Sequence, residues 1–401
     1  MQLATPASVI MRAVHAATAF DATALPRAIS PDRRVRVMQV VHSLNAGGTE
    51  RLVIEITKAL EPWADFVVCC LDAPGSWASE LTSRGVPVET LGRRAGFRPG
   101  LGCEIARLAS AHAVDVLHCH HYPPFVYGQI AALVTRGLRV VFTEHGRLSD
   151  ALPSVKRRLI NPVLGRLPSA VFAVSSDLRH YMTLEGFTAR RVRVIHNCVD
   201  VARIDQHAGL TRASAKVRLG IPPDQPVVGA AGRLVPQKAP LTFVQAARQV
   251  AAAAPGTLFV WVGSGPLQAT VANLARAEGI PLRLLGHRED VWDCLRAFDV
   301  FVLASRYEGL SFSLLEAMAL RLPVVVTDVV GTRDVVDDQV SGLVVPADVP
   351  AGLADAILSL LQDPPRGDRL ADAARKKVVA QFSVERMLDS HQALYEELCA
   401  R

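Results

Sequence analysis

Aromatic residues are scarce in this chain: Phe, Trp and Tyr make up 5% of its 401 residues. With 50% of residues hydrophobic, its cores must be built mainly from Ala, Val and Leu. Cysteine is also sparse. There are seven, an odd number; none forms a C-x-x-C pair, and Cys69, Cys70 and Cys119 sit in apolar strand-like runs. A reduced, intracellular protein fits this better than a disulfide framework. No low-complexity tract or internal repeat is present. No apolar run is long enough to span a bilayer unbroken: the uncharged stretch between Arg248 and Arg276 is cut by Pro255-Gly256 and by Gly263-Ser264-Gly265-Pro266. Residues Met1 to Arg34 read as an irregular extension, in which Arg12, His15, Asp21 and Arg27 interrupt any secretory signal. No G-x-G-x-x-G follows the first strand, which argues against a dehydrogenase, and no Asp-x-Asp is present to hold a metal–nucleotide complex.

Charge is unevenly distributed. The net charge is +6, yet the span Arg33–Asp205 carries 22 Lys and Arg against 15 Asp and Glu, while Gln206–Arg401 carries 20 against 21. The basic half suits an anionic partner such as a phosphorylated acceptor or a membrane surface. A merely arginine-rich surface explains it equally well, and no nucleic-acid partner is expected.

The length suggests two domains. Short β-branched runs alternate with amphipathic stretches. Strands are expected at Val35–His42, Phe66–Leu71, Val114–Cys119, Arg139–Thr143, Ala170–Val174 and Val192–His196, with helices such as Glu50–Leu60 and Gly102–His112 between them. The pattern pauses near Asp200–Gln225 and restarts with Val227–Ala231, Leu258–Val262, Leu282–Leu285, Val300–Leu303, Val324–Thr327 and Gly342–Val345. Two doubly wound α/β domains in series are expected, 35–205 and 206–381, with a final helix, 382–401, that crosses back onto the first. Ligands of such sheets bind beyond the carboxyl ends of the strands, so a shared ligand belongs in the cleft between the domains.

The densest motif is Ser305-Arg306-Tyr307-Glu308-Gly309-Leu310-Ser311-Phe312-Ser313-Leu314-Leu315-Glu316, placed after a buried strand and opening a helix. Backbone N–H groups of Leu310, Ser311 and Phe312 at a helix start suit a phosphate. Glu316 in the first turn suits ribose hydroxyls, and Glu308 beside Gly309 suits a sugar hydroxyl. Ser313-x-x-Glu316 also fits a capping box, which would explain Glu316 without a ligand. The second motif is Gly232-Arg233-Leu234-Val235-Pro236-Gln237-Lys238-Ala239-Pro240. Pro240 suits the first position of a helix, which puts Lys238 at the positive end of its dipole. A bound anion would make that placement favourable. Arg233 and Lys238 together suit a diphosphate, the alternative being a solvated basic turn.

Weaker signals align with these. Gly47-Gly48 follows the first strand, Gly263 lies in a strand-to-helix turn, and Gly286-His287 ends a strand; each suits donor contact or plain turn geometry. Thr143-Glu144-His145-Gly146-Arg147 puts His145 at a strand's carboxyl end. His118-Cys119-His120-His121 invites a zinc reading, but on a strand His118 and His120 share one face while Cys119 and His121 take the other. No metal site is expected.

Together these residues resemble family 4 of the retaining glycosyltransferases, from about Val35 to the C-terminus. The resemblance rests on Glu308, seven residues, then Glu316 in E-A-M-A, on G-R-x-x-x-x-K at Gly232, Arg233 and Lys238, on Gly47-Gly48, on E-H-G at His145, and on V-S-S at Val174–Ser176. It implies the GT-B fold and a nucleotide-sugar donor as co-substrate, with no cofactor and no required metal. Arg233 and Lys238 would neutralise the donor diphosphate, Glu316 would hold the ribose, and Glu308 and His145 the transferred sugar. Gly47, Gly48 and Leu310–Phe312 would complete the contacts. The leaving phosphate oxygen would take the acceptor's proton in a front-face reaction. The acceptor would be a glycan or polyprenyl-linked sugar in cell-surface polysaccharide or lipopolysaccharide assembly, on the cytoplasmic side and peripheral to the membrane. Gly-Leu-Ser-Phe after Glu308 departs from the Gly-Phe-Gly of many relatives; a UDP-sugar is preferred over a GDP-sugar. An epimerase or hydrolase on the same fold, or a non-catalytic sugar-nucleotide sensor, stays open at this point. The basic stretch Lys156-Arg157-Arg158, set among Val155, Leu159, Ile160, Val163 and Leu164, suits either anionic lipid or a solvated helix face.

Overall fold

In the computed structural model the described residues are 33–45, 47–146, 154–206 and 209–400. The extension read over residues 1–34 lies outside them but for its last two residues, and Arg147 of the E-H-G-R run also lies outside. The near-continuous apolar runs become all-parallel sheets covered on both faces, as such runs require. The first sheet has seven strands in the order β3-β2-β1-β4-β5-β6-β7. They are β1 (Val35–Val41), β2 (Ala64–Cys70), β3 (Val88–Thr90), β4 (Val116–His120), β5 (Arg139–Glu144), β6 (Ala170–Ala173) and β7 (Val192–Val194). The second sheet has six, in the order β10-β9-β8-β11-β12-β13. These are β8 (Val227–Ala231), β9 (Leu258–Val262), β10 (Leu282–Gly286), β11 (Val300–Leu303), β12 (Val324–Thr327) and β13 (Leu343–Val345).

In both sheets the strand order reverses once, between β1 and β4 and between β8 and β11. Those switch points are where crossover helices depart to opposite faces and leave a crevice. The segments that leave β1, β8 and β11 are the Gly47-Gly48 turn, the Arg233–Lys238 turn and the Ser305–Glu316 motif, and the histidine run forms the end of β4. Chain order alone therefore brings the candidate residues to two facing crevices.

The last helix, Val384–Cys399, leaves the second sheet and lies on the first. Its Met387, Leu394, Tyr395 and Leu398 are buried in one apolar cluster with Val35, Val37 and Val41 of β1. At about 1.5–3 kcal/mol per large buried side chain, these contacts anchor the helix firmly. A parallel bridge between Val199 and Ser383 and the Val199 N–H to Phe382 carbonyl bond (2.9 Å) tie the crossover to the junction between the sheets.

Candidate active site

Lys238 ends a 3-10 turn, Pro236–Lys238, before the helix Pro240–Ala253. Ala239 between them has φ 43°, so the chain reverses sharply and swings Lys238 inward. Its Nζ donates to Glu308 Oε1 at 2.5 Å, and Ser305 Oγ donates to the same oxygen at 2.5 Å. Glu308 is 5% exposed. Both sequence motifs thus meet in one part-buried ion pair, a contact that spacing alone did not reveal.

The helix that follows Glu308 starts at Phe312, with Ser311 as its N-cap. Glu316 is therefore its fifth residue, one turn further in than the sequence suggested. The capping box is not formed either: Ser313 Oγ donates to the Ala231 carbonyl (3.0 Å), and Glu316 accepts instead from Trp292 Nε1 (3.1 Å). The capping explanation of Glu316 therefore falls, and its partner in the protein is Trp292. Burial raises the pKa of Glu316 to about 7, against the smaller opposing effect of the Trp292 N–H.

Glycines bring the two domains into contact. A Cβ on Gly309 would lie 1.8 Å from the His145 carbonyl oxygen, and one on Gly48 would lie 2.5 Å from the Phe312 ring. Asn197 Nδ2 donates to the Leu310 carbonyl at 3.0 Å, and Asp334 accepts from the Ser176 N–H at 2.5 Å, also across the junction. Gly263 is explained by its own turn: its φ is 123° and a Cβ would meet the Gly232 carbonyl oxygen at 2.2 Å. Gly286, at φ 68°, accepts from the Gly263 N–H (2.7 Å), while His287 is exposed at the outer strand β10.

On the first domain, Glu50 folds back so that its Oε2 lies 2.2 Å from where a Gly47 Cβ would stand. Burial raises its pKa, while His121 and Arg233 of the opposite domain pull the other way. Arg233 is therefore within electrostatic reach of a carboxylate of the first domain.

The histidines differ in one respect from the strand-alternation reading. His118 and His120 do share a face, stacked with ring centroids 4.3 Å apart. His121, however, has φ 75° and has left the strand, so its ring turns back to lie 5.2 Å from that of His145. Its Nδ1 bonds Glu144 Oε1 at 2.9 Å and its Nε2 faces Thr49 Oγ1 at 3.2 Å. Burial disfavours the His121 imidazolium, but the Glu144 bond and charge outweigh this and raise its pKa. His118, His120 and His145 lie the other way: burial, with their histidine neighbours, holds each well below the ordinary value. Except for His145 Nδ1, which has no hydrogen-bond partner, their ring nitrogens bond to one another and to neutral groups. Among the described residues no group of three or more His, Cys, Asp or Glu could hold a metal ion.

Sequence reasoning missed Ser305, Trp292, Asn197, Glu50, Glu144, His120 and His121 as neighbours of the site. Only the period-two spacing of His118 and His120 carried a signal.

Two parallel-sheet domains that meet at their switch points define the GT-B architecture. Comparison with known proteins agrees. Residues 46–203 match the family model described as Glycosyltransferase Family 4, and residues 225–363 match that of Glycosyl transferases group 1. The chain belongs to glycosyltransferase family 4. It is 27% identical, over 73% of its length and 78% of the relative's, to the Escherichia coli UDP-Gal:alpha-D-GlcNAc-diphosphoundecaprenol alpha-1,3-galactosyltransferase. It is 28% identical to the alpha-maltose-1-phosphate synthase of Mycobacterium tuberculosis, over 88% and 96% of the two chains. The fold of Anabaena HepE, solved with UDP and glucose, superposes with a TM-score of 0.78 at 21% identity, covering 91% of this chain and all of that one.

Proposed function

We propose that this glycosyltransferase moves a hexosyl unit, with retention, from a nucleotide-sugar to a glycan or lipid-linked acceptor. The observation that carries the reading is the part-buried Lys238–Glu308 pair, which joins the loop after β8 to the loop after β11. Arg233 and Lys238 neutralise the diphosphate as the bond from the sugar's anomeric carbon to the phosphate oxygen breaks. Lys238 and Ser305 both engage Oε1 of Glu308, which leaves the second carboxylate oxygen for a sugar hydroxyl. The acceptor oxygen bonds to the anomeric carbon on the face the diphosphate leaves, and its proton passes to the leaving phosphate oxygen. Glu316 accepts from the ribose hydroxyls. Countercharge from two cations makes the reaction independent of a metal. A UDP-sugar is preferred. The galactosyltransferase relative is named for a UDP-sugar and a diphosphoundecaprenol acceptor, which supports a lipid-linked acceptor in surface-polysaccharide or lipopolysaccharide assembly at the cytoplasmic face of a membrane.

Acceptor-stimulated release of nucleoside diphosphate tests this. An epimerase or hydrolase turns donor over without an acceptor, and a sensor binds donor but transfers nothing; either result overturns the proposal.

A membrane surface is favoured by a specific patch. No described helix is long and apolar enough to cross a membrane. On the helix Val155–Leu164, however, Val155, Leu159 and Val163 are 70%, 76% and 67% exposed, with Leu167 and Leu184 also exposed. Arg157 of the basic stretch points inward, to Glu185 (3.0 Å) and over the Tyr122 ring (4.1 Å). Lys156 and Arg158 stay exposed to meet anionic headgroups. Liposome flotation should require anionic lipid and be lost in Lys156→Glu/Arg158→Glu. Flotation indifferent to both changes would remove this part of the proposal.

A further inference from the structure

Behind His145 runs a chain of buried polar groups that no step of the reaction above uses. His145 Nε2 lies 2.8 Å from His120 Nδ1, and His120 Nε2 lies 2.6 Å from Gln39 Oε1. Gln39 Nε2 reaches Tyr395 Oη at 3.4 Å, Tyr395 Oη meets His118 Nδ1 at 2.7 Å, and His118 Nε2 meets Thr143 Oγ1 at 2.8 Å. Gln39, His118 and Tyr395 are fully buried and His120 is 1% exposed. Six polar groups in a dry core are costly unless each bond has a donor and an acceptor.

With the Gln39 amide oriented as it stands, that requirement sets one direction along the chain. An amide oxygen only accepts, so His120 Nε2 carries the proton. A neutral imidazole has one donor and one acceptor nitrogen, so His120 Nδ1 accepts and His145 Nε2 donates. On the other side, the Gln39 N–H donates to Tyr395, whose hydroxyl donates to His118 Nδ1, leaving the His118 Nε2–H for Thr143. Burial and neighbouring imidazoles keep these rings neutral. At the open end, His145 Nδ1 is buried without a hydrogen bond that meets the distance and angle limits, and the side chain of Asn197 is its polar neighbour.

We infer that Gln39, His120 and Tyr395 are positioning residues that lock His145 in the tautomer protonated on Nε2, so that Nδ1 presents a lone pair to a hydroxyl of the transferred sugar. This rests on the reading of His145 as a sugar contact. It also makes the C-terminal helix part of the active site, because Tyr395 closes the chain from the opposite end of the sequence. The reverse direction needs the Gln39 amide turned over. It would put a proton on His145 Nδ1, facing Asn197 Oδ1, which is likewise unpartnered.

The test is the 15N spectrum of imidazoles in the full chain without donor, with His145 assigned by its loss in His145→Ala. The expected result is a pyrrole-like Nε2 and a pyridine-like Nδ1. The reverse pattern, or averaged shifts, overturns the inference. His120→Leu should average the His145 tautomers and lower kcat about tenfold or more, as loss of a tautomer-fixing partner does elsewhere. His120→Asn keeps an acceptor where Nδ1 stood and should restore both readouts. If His120→Leu leaves kcat unchanged, the positioning role is refuted. If that variant does not fold, the wild-type spectrum still decides the tautomer. Should His145→Ala run at the wild-type rate, the sugar contact fails, and the tautomer measurement judges the network on its own.

Discussion

At the residue scale, Lys238 and Glu308 are bound into one unit, which changes how their variants should be read. Lys238→Met leaves a buried carboxylate without its cation, at a cost of about 3 kcal/mol or more. It should also lower kcat by roughly 100- to 1,000-fold, as loss of a transition-state donor does. Lys238→Met/Glu308→Gln should recover most of the thermal stability and none of the activity. Recovery of activity in the double variant would mean the cation serves only its ion pair. Glu316 makes a prediction about pH. Its pKa is raised by burial to about 7 from the unfolded value of 4.5, so the free protein binds a proton that the unfolded chain releases. Its contribution to stability is therefore full below pH 4.5 and is lost as pH rises through 7. Glu316→Gln should raise Tm at pH 8 by roughly 2–4 °C, with the gain shrinking at pH 5. On the proposed ribose contact, donor binding runs the other way, because ribose hydroxyls favour the carboxylate. The KM for donor should fall as pH rises through 7 in the wild type and stay flat in Glu316→Gln.

At the scale of elements, the loops after β5 and β11 close on each other through glycine. Gly309→Ala would place a methyl 1.8 Å from the His145 carbonyl, a conflict that only separation of the loops relieves. Small-angle scattering should then report a larger radius of gyration, with activity reduced about 100-fold or more. An unchanged rate would mean the closed contact is not needed for transfer. Much of this level was legible beforehand. Val227–Ala231, Leu258–Val262, Val300–Leu303 and Val324–Thr327 stand where their apolar runs put them, because strands buried on both faces need such runs. The edge strand Val88–Thr90 was missed, since three residues pairing on one side carry no apolar signature. Glu308 and Glu316 were legible because their spacing lies within one loop and helix. The histidine chain was not: Tyr395 and His118 are separated by 277 positions, and only the crossover helix brings them together. His121 escaped the strand pattern because its positive φ ends the alternation one residue early.

At the scale of the whole molecule, two sheets of the same winding supply opposite halves of one site. In the proposed reaction the second would provide the cations and carboxylates for a donor; the first would provide histidines, the Gly47-Gly48 turn and the exposed face at Val155–Leu164 where an acceptor would approach. The crossover helix joins the two, so transfer should depend on both halves at once. The most direct measurement is the rate of nucleoside diphosphate release from UDP-sugars, with and without an undecaprenyl-diphosphate-linked sugar. The account predicts release stimulated many-fold by the acceptor and abolished in Lys238→Met/Glu308→Gln. Release at one rate with or without acceptor, or undiminished in that variant, would contradict it.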